Sequence, residues 1–220
     1  MKSFILILIG LVLLNLTQEV DCHRKSPFGK KEICLPTIDG YQECYLEAPI
    51  TEMADATEVP TNRVLGYYLD TMTYNRKSEL GTFQFDNYFK IYGTLDVQDY
   101  EAQEGEMDQI FAAVKESFVP GMWEETKGLI DEKGLGVQVG QPVLLEDYRF
   151  SDQSFTCVAL ISYSTPEIPD VTMAMTVNGL LLHNRIVWMA YYLMYENADT
   201  LIELKNNSNI LIDEILKANM

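Results

Sequence analysis

The spacing of apolar positions divides the chain into strand-like and helix-like stretches. Met107, Ile110, Phe111, Val114 and Phe118 fall three or four apart, which predicts a helix over 105–118 with one apolar face, stopped by Pro120-Gly121. A second helix is predicted over 197–218. Asn197 caps it, and Leu201, Leu204, Leu211, Ile215 and Ala218 share a face with Ser208. Between the two, the runs 143–150, 154–163, 171–182 and 186–195 read as strands joined by turns at 151–153 and 183–185. A turn at Asn178-Gly179 would leave one overlong strand, so the polar trio His183-Asn184-Arg185 is the expected turn. Earlier, 63–69 and 83–94 read as strands, the second with an irregularity near Asp86-Asn87. Residues 33–45 read as strand, turn and strand, 49–56 as a short helical turn, 123–131 as a second short helix and 134–142 as a loop. Strands joined by short turns and bracketed by helices predict an α+β fold. The expected form is a single domain, an antiparallel β-sheet covered by helices in a sandwich-like α/β/α arrangement.

The N-terminus breaks this pattern. Behind Lys2 comes an unbroken apolar run, FILILIGLVLL at 4–14, then a polar stretch. That is the signature of a secretory signal peptide, and the run is too short to cross a bilayer. The expected division is a signal peptide over 1–22, an exposed basic leader over 23–31 (HRKSPFGKK) and one domain over 32–220. Cleavage after Cys22 would place Val20 at −3 and Cys22 at −1. Cys22 is alternatively a lipid attachment site, although Glu19-Val20-Asp21 lacks the small residues such a site carries. No later segment is long and apolar enough to span a membrane, so the expectation is an exported protein, periplasmic or secreted, with no integral membrane span. In a eukaryotic route Asn206-Asn207-Ser208 would be a glycosylation acceptor, within a predicted helix.

The formal net charge is −17, and without residues 1–22 the balance is 15 basic to 31 acidic residues. A field of that sign repels nucleic acid and anionic membranes and favours cationic partners or divalent ions. The chain has four cysteines: Cys22, Cys34, Cys44 and Cys157. Cys34 and Cys44 flank Asp39-Gly40. A two-residue turn there would point them to opposite faces, whereas a three-residue loop with left-handed Gly40 would pair them directly. A Cys34–Cys44 disulfide is therefore expected together with the three-residue loop. Cys157, in FTCVALI, reads as a buried, inert thiol.

Signatures of chemistry are missing. The chain holds no Gly-x-Ser-x-Gly elbow, no phosphate loop and no Cys/His cluster for zinc. The acidic run Asp96, Asp99, Glu101, Glu104, Glu106, Asp108 does not match calcium-loop spacing and reads as a solvated helix start. No catalytic residue, metal ligand or cofactor is assigned. Tyrosines are plentiful beside the strands: Tyr67, Tyr68, Tyr74, Tyr88, Tyr92, Tyr191, Tyr192 and Tyr195. Neighbours in a strand point to opposite faces, so one of each pair is expected in the core; the other is expected to pack in the sheet under the helices or, alternatively, to be partly exposed and help bind a partner. The candidate partner contacts are Tyr67, Tyr191, His183 and Arg185.

The long hairpin VTMAMTVNGLLLHNRIVWMAYYLMY running into the helix at 197–218, with LP-x-x-x-GY at 35–41, resembles the Mog1/PsbP-like α/β/α sandwich group. That resemblance implies an antiparallel sheet between helices. It also implies a role in binding other proteins rather than in catalysis. The expectation is an exported, non-catalytic binding or accessory domain with a protein partner. The alternative is an exported hydrolase built on two carboxylates, which would need a cleft holding carboxyls of raised pKa.

Overall fold

In the computed structural model, which describes residues 22–78, 85–118, 127–128, 138–164 and 170–220, the strand-forming runs meet in one antiparallel sheet with helices on both faces. The elements in chain order are β1 (Cys22–Phe28), β2 (Lys31–Pro36), β3 (Tyr41–Glu43), α1 (Ala48–Thr57), β4 (Asn62–Asp70), α2 (Thr71–Arg76), β5 (Asn87–Thr94), α3 (Met107–Ser117), β6 (Gln138–Val139), β7 (Val143–Ser151), β8 (Ser154–Ser164), β9 (Val171–Leu182), β10 (Arg185–Met194) and α4 (Ala198–Ala218). The sheet runs β3-β4-β5-β10-β9-β8, with β7 and the short β6 sharing the far side of β8. β1 and β2 form a separate two-stranded ribbon. This is the expected α+β domain.

Local signals set most of these elements. His183 and Asn184 both adopt positive φ, 49° and 61°, as a two-residue hairpin turn requires, and they close β9 onto β10 at the expected place. Asn197 caps α4 by accepting from the Asp199 N–H at 2.8 Å, and Thr200 returns the contact to form a capping box. Gly179 lies in mid-strand rather than in a turn. A Cβ there would stand 2.4 Å from the Phe155 ring, so glycine gives that ring its seat across the β8–β9 pair.

Two faces follow from the period of two. On one, α4 lays Leu204, Leu211, Ile212 and Ile215 over Phe89, Ile91, Val187, Met189 and Tyr191, and the β1–β2 ribbon adds Phe28, Ile33 and Leu35. Ser208 of α4 is fully buried on this face and bonds Thr176 at 2.9 Å, while Asn178 donates to the Met189 carbonyl at 3.0 Å. The Thr176, Asn178 and Ser208 side chains under the helix are thus paired, while the buried Thr156 hydroxyl opposite Asn178 is not. The opposite face has two separate covers. α1 packs Ile50, Met53 and Ala54 on Val64, Tyr67 and Leu69, and α3 packs Met107 and Phe111 on Phe155, Cys157, Leu181 and Ile186.

Three expectations are corrected. Residues 23–31 are not an exposed leader: β1 pairs with β2, Ser26 and Phe28 are buried, and the Phe28 ring fills the space where a Cβ on Gly93 would stand. β2 and β3 are not hairpin partners. Gly40 does take the left-handed conformation (φ 79°), but the chain then leaves β2 for β4, so the two strands belong to different sheets. The disulfide follows the true pairing. Cys34 bonds Cys22, with their Cα atoms 5.5 Å apart, and Cys44 is a buried free thiol beneath α1. α2 had no signal in the sequence beyond Asp70, whose carboxylate caps it by accepting from Met72 and Thr73. The helix expected over 123–131 lies outside the described residues apart from 127–128.

Candidate functional site

Of the four candidate partner contacts, three are inside the protein. Tyr67 is buried under α1 and stacks on Tyr88 at 5.4 Å. Tyr191 is fully buried beneath α4, and its hydroxyl accepts from the Asn207 amide at 3.2 Å and meets the Tyr41 hydroxyl at 3.2 Å. Arg185 is also fully buried. Its guanidinium donates to the Tyr100 carbonyl at 2.7 Å and reaches Glu101 at 3.4 Å, pinning the segment before α3 to the β9–β10 turn. Alternation does split Tyr191 from the half-buried Tyr192, but the buried member is the one named as a contact, and Tyr67 and Tyr68 are both buried, packed in the sheet under cover from both sides. Only His183 is exposed, at the turn tip.

The ionisable groups of the covered face are fixed rather than poised. Glu58, at the end of α1, accepts from Lys90 Nζ at 2.5 Å, from Asn62 at 2.9 Å and from the Val59 N–H at 3.1 Å. Burial works to raise its carboxyl, but Lys90 and these donors outweigh burial and hold it below the usual carboxylate range. Around the pair, Tyr88 stacks on Tyr192 at 4.7 Å, and burial pushes the Tyr67, Tyr88 and Tyr92 phenols well up, so they stay neutral. Glu106 is likewise displaced downwards, by bonds from the Tyr100 hydroxyl and the Gln103 N–H. Burial pushes the Cys44 and Cys157 thiols up to about 12, which keeps both unreactive.

A cleft beside the β1–β2 ribbon, lined by His23, Thr37, Tyr41, Gln42 and Glu43, measures about 80 Å³, room for a few waters. Its carboxylate, Glu43, already takes two bonds from Arg24, at 2.8 and 3.0 Å. Among the described residues no group of three or more His, Cys, Asp or Glu side chains could hold a metal ion, and no helix is long and apolar enough to cross a membrane.

The surface that stands out is the β7 edge. Its register against β8 slips twice, between Leu144 and Glu146 and between Arg149 and Ser151. Leu145 and Phe150 are therefore the extra residues of two β-bulges, lifted off the ladder and re-aimed. Leu145 remains 46% exposed, Phe150 36% and Val143, at the strand start, 57%. The residues between the bulges are engaged elsewhere. Asp147 and Arg149 reach α3 through Lys115 (3.2 Å) and Asp108 (2.7 Å), while Glu146 and Tyr148 reach α4 through Lys205 (2.7 Å) and Asn209 (2.9 Å). α4 also carries exposed Ile202 and Ile210. Sequence reasoning read 143–150 as a plain strand. The run Val143-Leu144-Leu145 breaks alternation and marks the first bulge, whereas Tyr148-Arg149-Phe150-Ser151 alternates regularly and gives no sign of the second.

Compared with family models, with curated proteins and with solved structures, the chain finds no match, so the case for its function rests on these residues alone.

Proposed function

We propose that the protein is an exported binding domain that engages another protein along the β7 edge. The observation that carries this reading is the pair of bulges that turn Leu145 and Phe150 outwards, between polar residues that already have partners within the chain. Full burial of such a side chain is worth about 1.5–3 kcal/mol, and Leu145 and Phe150, each still partly in water, leave a fraction of that for a partner surface to recover. Two bulges and the charged run Glu146-Asp147 oppose regular strand addition, so the partner meets side chains rather than backbone. Five residues of strand set the two anchors about 15 Å apart. The net charge of −17 favours a partner with a basic face around its apolar contacts, and it sets two copies of this chain against each other.

Export is supported by the signal-like N-terminus and by the Cys22–Cys34 disulfide, a bond that persists in oxidising compartments. The resemblance to the Mog1/PsbP-like group adds the same expectation of protein binding. The hydrolase reading finds no support in Glu58 and Glu106, whose displacement is downwards, away from a general acid.

The test places a photoreactive residue at 145, at 150, or at exposed control positions 46 and 183, in the protein expressed in its own host. The expected outcome is one discrete adduct shared by 145 and 150 and missing from the controls. If 145 and 150 give no adduct, or the same adducts as the controls, the β7 edge is not the docking surface.

A further inference from the structure

We infer that the export peptidase cuts on the N-terminal side of Cys22, and that Cys22 serves in the mature protein as half of a disulfide, neither discarded with the signal nor carrying a lipid. This rests on the export reading above. The sequence offered two fates for Cys22, removal by a cut behind it and acylation; the structure adds a third, retention.

The geometry separates them. Cys22 opens β1 opposite Pro36, and its sulfur is bonded to that of Cys34. Two residues on, the Arg24 guanidinium makes its two bonds to Glu43 and a third, at 2.7 Å, to the Leu65 carbonyl. Ser26 and Phe28 are buried, with the Phe28 ring seated on Gly93. The chain belongs to the fold from Cys22 onwards.

Cys34 is held in place independently. Its N–H donates to Asn219 Oδ1 at 2.8 Å, and its carbonyl accepts from Asn219 Nδ2 at 2.9 Å, both bonds buried. The other two thiols are elsewhere, Cys44 under α1 and Cys157 under α3, on the opposite face of the sheet from the ribbon. Cys22 is thus the partner the fold offers to Cys34. Forming the bond takes two hydrogens, as two protons and two electrons, from the two thiols. A disulfide-bearing oxidase of the compartment accepts them and becomes a dithiol. A lipid thioether would occupy the same sulfur, and a cut behind Cys22 would remove it.

The experiment is intact-mass analysis and N-terminal sequencing of the protein from its host's extracytoplasmic fraction, alkylated under denaturing conditions with and without reductant. The expected result is an N-terminus at or before Cys22, two thiols alkylated without reductant and all four with it. A chain beginning at His23 overturns the inference, as does a diacylglyceryl group on Cys22 or an uncut chain outside the cytoplasm. In each of those cases export itself stands. An uncut chain found only in the cytoplasm overturns the export reading instead. Cys34→Ser gives a second check. The cut should stay where it is and three thiols should alkylate without reductant; one would mean that Cys22 pairs with Cys44 or Cys157 instead, and two that its sulfur is bound outside the chain, either of which overturns the pairing.

Discussion

The two edges of the sheet are finished in opposite ways. At one end β3 is three residues long, and the β1–β2 ribbon is strapped nearby by the Arg24–Glu43 bond and a disulfide. Tyr41 and Glu43 spend their polar atoms on Asn87, Tyr191, Arg24 and the Tyr45 N–H. At the other end β7 is nine residues long, and no described strand pairs with its outer side. An open edge invites unwanted pairing, and both ends guard against it, one by brevity and a strap, the other by bulges and charge. The difference lies in what is left exposed. The strapped end keeps Phe28, Ile33 and Leu35 inside, whereas the bulged end keeps Val143, Leu145 and Phe150 outside. The first edge is short and polar with its apolar neighbours Leu46 and Met72 off the strand, whereas the second carries exposed apolar side chains on the strand itself.

The strongest way to break that contrast is to unseat the strap. Phe28→Ala removes a fully buried ring over Gly93 and should destabilise the fold by about 3–5 kcal/mol, read from urea unfolding. A loss under 1 kcal/mol would mean the ribbon is an appendage. Cys22→Ala opens a covalent loop with a sequence separation of 12 and should cost about 3 kcal/mol in the same measurement. Cys44→Ala should not alter the reductant sensitivity of the wild type, because Cys44 has no part in the bridge.

How far the sequence could lead depended on the range of the forces involved. α3, α4 and the hairpins β7–β8 and β9–β10 were legible because periodicity, caps and turns act over a few residues. The ribbon was not. Gly40 was read rightly as left-handed, but the choice of partner for β2 rests on Phe28 meeting Gly93 and on Asn219 meeting Cys34 across 185 residues of chain. Local rules contain no such term. Tyr67, Tyr191 and Arg185 were misjudged for the same reason, since strand alternation tells which face a side chain takes but not whether a helix covers it. The β7 site lay between these extremes, half visible in the lapse of alternation at Leu144-Leu145, silent at Phe150 and unreadable as exposure.

The strapped half should also carry a pH dependence. The folded pKa of Glu58 lies below its ordinary 4.5, so the folded state takes up this proton less readily than the unfolded one. Its stabilising contribution is then fully present above the unfolded value and is lost as pH falls through the folded value. Unfolding midpoints should show no pH dependence from Glu58 between about pH 7 and 5, where its contribution is complete, and should fall below about pH 4.5. Glu58→Gln should lower the neutral-pH plateau and flatten that acid limb. An unchanged limb would show that the Glu58–Lys90 pair does not carry it.

The smallest effect on stability is expected at the open edge, where the largest effect on binding belongs. Leu145→Ser and Phe150→Ser alter side chains that are partly in water, so each should shift stability by no more than about 1 kcal/mol. If the bulges exist to present these residues, the same variants should lose the partner adduct. Glu146→Gln, which loosens only the tie to Lys205, should keep it. A drop of about 2 kcal/mol or more for either serine variant would place that side chain in the core rather than on an edge, because burial of that size is what a core position contributes. The strand would then be closed by its own chain, and the contrast between the two edges would vanish.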